Sequence, residues 1–96
     1  MDKPTGPLSF AASFSPDARF APTAGDLAAR FAQTTGCAES AIREVREAVG
    51  LAFETALEAA GAASIDLALR RDNGTFSADL TCGARSYLHV AHPLTA

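Results

Sequence analysis

The sequence predicts an α/β fold: a two-layer sandwich with two helices packed on one face of a mostly antiparallel four-stranded sheet, in the order β-α-α-β-β-β. Three observations carry this. Apolar residues recur at every second position near the N-terminus and again through the last third of the chain, the period of a strand with one buried face. Between these runs, apolar residues recur every three or four positions, the period of an amphipathic helix. Finally, Asp72-Asn73-Gly74 separates two alternating runs, and Asn-Gly suits the positive φ angles of a tight hairpin turn. Elements segregated in this way stack as one helical layer on one sheet.

Each element follows from local chemistry. Leu8, Phe10, Ala12 and Phe14 alternate with Ser9, Ala11 and Ser13, which predicts the first strand. Ser15-Pro16-Asp17 and Ala21-Pro22 break it. Thr23 is the expected N-cap of the first helix, with Asp26 completing an approximate capping box. Leu27, Ala28, Phe31 and Ala32 form one apolar stripe of that helix, and Gly36 is placed to end it. A second helix is expected from about Glu39 to Ala60, buried along Ile42, Val45, Val49, Ala52, Ala56 and Ala60. Glu39–Arg43 and Arg43–Glu47 are expected as ion pairs one turn apart on its polar face. Leu51 and Phe53 widen the apolar surface of its C-terminal half, so cover from more than one side is expected. Gly61 is expected to end it. Ile65, Leu67 and Leu69 predict the second strand, and Phe76, Ala78, Leu80 and Cys82 the third. Gly83 is expected to bend or break the sheet, Arg85 to Ala91 to form a short fourth strand, and His92-Pro93 to close it, because proline cannot donate to a ladder.

The chain has 96 residues, enough for one small domain spanning 1–96. Its core is modest for its surface, which makes dimerisation a reasonable source of added stability. The net charge of -3 and the absence of any basic run argue against nucleic acid as a partner. No apolar stretch approaches the roughly 20 residues that span a bilayer, so no membrane partner is expected. The opening MDKPTGPLSF lacks the apolar centre of a signal peptide, and a cytoplasmic location is expected. Cys37 and Cys82 have no metal-type spacing and are expected as reduced, buried thiols, with a disulfide as the alternative.

Two stretches carry a family resemblance. FSPDARFAPTAGDLAARFAQTTGCAESAIREVREAVGLAFETALEAA, Phe14 to Ala60, and LALRRDNGTFSADL, Leu67 to Leu80, resemble the anti-sigma-factor serine kinases of the GHKL (Bergerat-fold) ATPase superfamily. The match runs from Phe14 to about Leu80, with a further stretch at His89 to Leu94. It implies the same two-layer fold. In that family the second helix carries a glutamate base and, four residues on, an asparagine that holds the magnesium of ATP. Here Glu47 stands at the first position and Leu51 at the second. Leucine has no oxygen to offer a hard cation. The family's adenine-binding aspartate falls on Cys82, a weak acceptor, and its glycines fall on Ala84 and Ser86. The family's lid and third helix have no counterpart between Cys82 and Arg85. The resemblance therefore implies a degenerate, truncated, non-catalytic relative with no cofactor, working by protein–protein contact in bacterial transcription regulation. Such kinases dimerise and bind a sigma factor and a small antagonist. The implied partners are a second copy, a sigma factor, an antagonist or a related kinase.

Other chemistry is weaker. Glu47 beside Arg43 reads as a solvated ion pair. His89 and His92, three apart on a strand, point to opposite faces and cannot share a metal easily. Cys82 lacks the positive surroundings of a thiol catalyst, and the Asp72 turn has too few oxygens for a cation. No catalytic, cofactor-binding or metal-binding residue is assigned. Leu27, Phe31, Leu51 and Phe53 are the expected interface residues, since loss of lid and third helix leaves an apolar helix face without cover. Two alternatives remain open: a minimal ATP-binding kinase with an unorthodox site using Glu47 and Asp79, and an unrelated small α/β dimer of similar architecture.

Overall fold

A computed structural model of the chain describes residues 8–60 and 63–94. The expected order is observed: β1 (Leu8–Phe14), α1 (Ala21–Thr35), α2 (Glu39–Ala60), β2 (Ile65–Asp72), β3 (Thr75–Cys82) and β4 (Arg85–Pro93). The strands form one antiparallel sheet in the order β1-β2-β3-β4. Both helices lie on one face, α1 over β2 and β3, α2 over β3 and β4. Among the described residues no helix is long and apolar enough to cross a membrane.

The layers divide the work of filling the core. The sheet supplies bulk: Ile65, Leu67, Leu69, Phe76 and Leu80 are fully buried, each worth roughly 1.5–3 kcal/mol of apolar transfer. Helix α1 buries almost only small residues, Ala21, Ala24, Gly25, Ala28, Ala29 and Ala32, so it approaches α2 closely. At Gly25 a β-carbon would stand 2.7 Å from the backbone oxygen of Arg46.

The turns follow expectation. Gly36 has φ 103 and its N–H bonds to Ala32 and Gln33 carbonyls, a left-handed helix stop that residues with a side chain rarely adopt. Asn73 and Gly74 have φ 52 and 78, as a type I′ turn requires. Gly61 lies outside the described residues.

Three local expectations are corrected. Helix α1 starts at Ala21, not after Thr23, and Pro22 sits in its first turn. A first-turn proline is compatible with a helix because its missing N–H has no intrahelical partner there anyway. The entry is set instead by a 3-10 turn, Ala18–Phe20, capped by the Asp17 carboxylate accepting from the Arg19 N–H at 2.9 Å. Asp26 caps nothing; it pairs with Arg46 at 3.2 Å. Second, among the described residues Arg43 pairs with neither Glu39 nor Glu47, since exposed pairs gain little against side-chain entropy. Third, β4 continues through His92 to Pro93, opposite Thr75. An outer strand tolerates proline because one side of its backbone has no neighbour to donate to.

Candidate functional site

Glu47 and Leu51 share one face of α2, as their spacing demands, but that face points away from the sheet. Leu51 is 67% exposed and its helical neighbours Glu47, Glu54 and Thr55 are exposed as well. Cys82 is elsewhere, buried in the core, with its thiol 3.6 Å from the Ala63 carbonyl oxygen. Asp79 lies on the outer face of the sheet, against His89 across the β3–β4 ladder. Strand β3 passes to β4 through Gly83 and Ala84 alone, with Cys82 paired directly to Arg85. Gly83 has φ 62, which fits the first position of a type II′ hairpin turn.

The two histidines lie on opposite sides of β4, as expected. His89 meets Asp79 on the outer face, and His92 lies 3.9 Å from Glu44 of α2 on the helix side. Both cysteines are free and buried. Burial pushes the Cys37 thiol above its usual range, with a smaller opposing effect from its hydrogen bond with Thr35. The side-chain hydrogen bond from Arg19 holds the Asp17 carboxyl below its ordinary value, aided by the Arg19 backbone N–H.

The four expected interface residues separate into three environments. Phe53 has no exposed surface; it packs edge-on against Phe14 with ring centroids 5.7 Å apart. It is a core residue, and its expected interface role is corrected. The physical reason is angular: at about 100° per residue, Phe53 lies some 200° around the helix from Leu51, so the two cannot share a surface. Leu51 is a lone apolar side chain in a polar setting. A single exposed leucine is ordinary on a protein surface.

Leu27 and Phe31, by contrast, are brought together. With Phe10 of β1 and with Arg30 and Thr34 they line an open groove of about 200 Å³. Phe31 anchors its floor through a ring contact with Phe76 at 5.9 Å. Phe10 is cross-strand partner to the buried Leu69, so it faces the helical layer. Yet it is 41% exposed, and Leu8 beside it 42%, because α1 lies over β2 and β3, whereas the Phe14 end of β1 packs against Phe20 and Phe53. Sequence reasoning did not select Leu8 and Phe10. Their alternation marked a strand, but nothing local told that the strand would stand at the edge of the sheet.

Among the described residues strand β1 is hydrogen-bonded to β2 alone, which leaves the other side of its backbone without a strand partner there. The candidate site is thus an uncharged strand edge, LSFAASF, with an apolar groove above it. Its chemistry suits a polypeptide: main-chain donors and acceptors along the edge, and a greasy slot for alternate side chains. Among the described residues no three His, Cys, Asp or Glu side chains cluster to hold a metal ion. No protein-family model matches the chain, and no curated protein matches it.

Proposed function

We propose that this chain is a non-catalytic regulatory domain that works by protein–protein contact, through the β1 edge and the groove formed by Phe10, Leu27 and Phe31. The observation that carries the proposal is this groove, in which the exposed Phe10 meets the half-buried Leu27 and Phe31 beside a strand edge without charge or proline, since such an edge is a template for pairing with another chain. The resemblance to the anti-sigma-factor kinases supports the regulatory half of the reading. Leu51 stands where that family ligates magnesium, Cys82 where it accepts adenine, and a two-residue turn where it carries its lid. In this reading the chain acts in the bacterial cytoplasm, on a sigma factor, an antagonist or a related kinase, or on itself.

Calorimetric titration with magnesium and ATP tests the non-catalytic half. The expected result is no saturable heat up to millimolar ATP. Saturable binding overturns it and moves the site to Glu47 and Asp79. The contact half is tested by Phe31→Asp, which is expected to weaken capture of a sigma factor or antagonist at least tenfold while Leu51→Asp leaves it intact.

A further inference from the structure

We propose that Asn73 is a site of spontaneous covalent modification: its side-chain amide is lost to the Gly74 nitrogen when the β2–β3 turn opens, and a backbone clasp from Leu94 sets how often that happens. The proposal stands apart from the contact reading above and uses none of its residues.

The chemistry needs an asparagine followed by an unobstructed backbone nitrogen. Asn73 is the only asparagine of the sequence, and glycine follows it. Base removes the Gly74 amide proton, and the nitrogen attacks Cγ of Asn73. The new N–Cγ bond closes a five-membered ring, the bond from Cγ to the side-chain nitrogen breaks, and ammonia leaves with a proton. Water then opens the ring. Cleavage at Cγ gives aspartate; cleavage at the backbone carbonyl gives isoaspartate, in which the main chain runs through the former side chain. The net exchange is amide and water for carboxylate and ammonium, with no change of oxidation state. Glycine obstructs the attack least, having no side chain beside the nitrogen. The surroundings of Gly74 are open as well, since a β-carbon built there would meet nothing within 4 Å. Asp72, Asn73, Gly74 and Thr75 are all exposed, so base and water reach the turn.

The folded turn nevertheless withholds the reaction. Asn73 and Gly74, with φ 52 and 78, form a type I′ turn, the mirror image of type I, so ψ of Asn73 lies near about +30°. At that ψ the Gly74 nitrogen stands across the Cα–C bond from Cβ, on the far side from the carbon it must attack. Ring closure requires ψ to rotate until the nitrogen eclipses Cβ, which the closed hairpin forbids. Opening breaks the Asp72–Thr75 pair at the end of the ladder and the hydrogen bond from the Leu94 N–H to the Gly74 carbonyl at 2.9 Å. Leu94 follows β4, so this bond couples the turn to the last described residues of the chain. An exposed hairpin tip opens locally at far lower cost than the whole domain unfolds.

The two products differ in fold. Asp-Gly suits a type I′ turn as Asn-Gly does, so the aspartate form keeps the hairpin. Isoaspartate adds an atom to the backbone of a two-residue loop, and Asp72 and Thr75 no longer meet in register. Both products add a negative charge to the formal -3.

Intact mass and peptide mapping of the full chain, incubated at mildly alkaline pH with and without denaturing urea, test this. The mass should rise by a single unit at Asn73 and not at Gln33, the other side-chain amide of the sequence. Without urea the rise should be at least about tenfold slower, because the turn is then open only part of the time. Leu94→Pro removes the N–H donor and should raise the native rate by roughly threefold or more, the worth of one ordinary hydrogen bond. Leu94→Ala trims the side chain but keeps the N–H, and should raise the rate less. Asn73→Asp should melt with the unsubstituted chain, while the isolated isoaspartyl form melts lower. An unchanged mass in both conditions overturns the site. Equal rates with and without urea, or equal acceleration by the two Leu94 variants, overturn the gating by the turn.

Discussion

Phe53 and Leu51 show how much one helical step decides. Both are large and apolar, and they stand two residues apart. Phe53 is enclosed by the core and Leu51 projects into solvent. Phe53→Ala should cost about 3–5 kcal/mol, the usual range for emptying a buried phenylalanine site, read as a lowered denaturation midpoint in urea. Leu51→Asp should shift that midpoint by no more than about 0.5 kcal/mol; a larger loss would show that Leu51 is covered. The polar neighbours Glu47, Glu54 and Thr55 were a legible sign of exposure. The widened apolar band of this half of the helix masked it. Titratable residues give two further tests. The raised pKa of Cys37 keeps less of it as thiolate at pH 8 than in the unfolded chain, and burial shields both thiols, so the two should react with an aromatic disulfide reagent only after denaturation. Prompt reaction of the native protein would contradict the burial. For Asp17 the folded pKa is lowered. Its contribution is therefore present above the unfolded carboxylate pKa and is lost as pH falls through the lower folded value. An NMR titration should place its midpoint below the ordinary aspartate value, and Arg19→Ala should bring it back up.

At the scale of elements, α1 and α2 read differently from the sequence. Periodicity located both helices because each buries a stripe along its length. It missed the true start of α1, where the Asp17-capped turn and a tolerated first-turn proline outweigh the Thr23 signal. It also could not reveal how closely the helices approach, because that distance depends on what stands opposite each small residue. Two helical glycines expose this. Gly25 faces the Arg46 backbone oxygen, with no room for a β-carbon, whereas at Gly50 the nearest outside atom would stand 3.9 Å away, an ordinary contact. Gly50→Ala should therefore stabilise the protein by about 0.5–1 kcal/mol, through better helix propensity and a less disordered unfolded chain. Gly25→Ala should destabilise it, because backbone must move to relieve the clash. Thermal melts of the two variants should shift in opposite directions, and a common direction would mean that the helix crossing is looser than observed.

For the whole molecule, the strands and their hairpins were legible because alternation and turn chemistry are local, whereas the position of β1 was not. Which strand lies at the edge is decided by chain segments far apart in sequence, here the pairing of Leu8–Phe14 with residues 65–71. The candidate site inherits that obscurity: Leu27 and Phe31 were visible as a helix stripe, but their groove exists only because β1 closes one side of it. The helical layer contributes mostly alanine to the core, so a 96-residue chain gains much from covering Leu8 and Phe10.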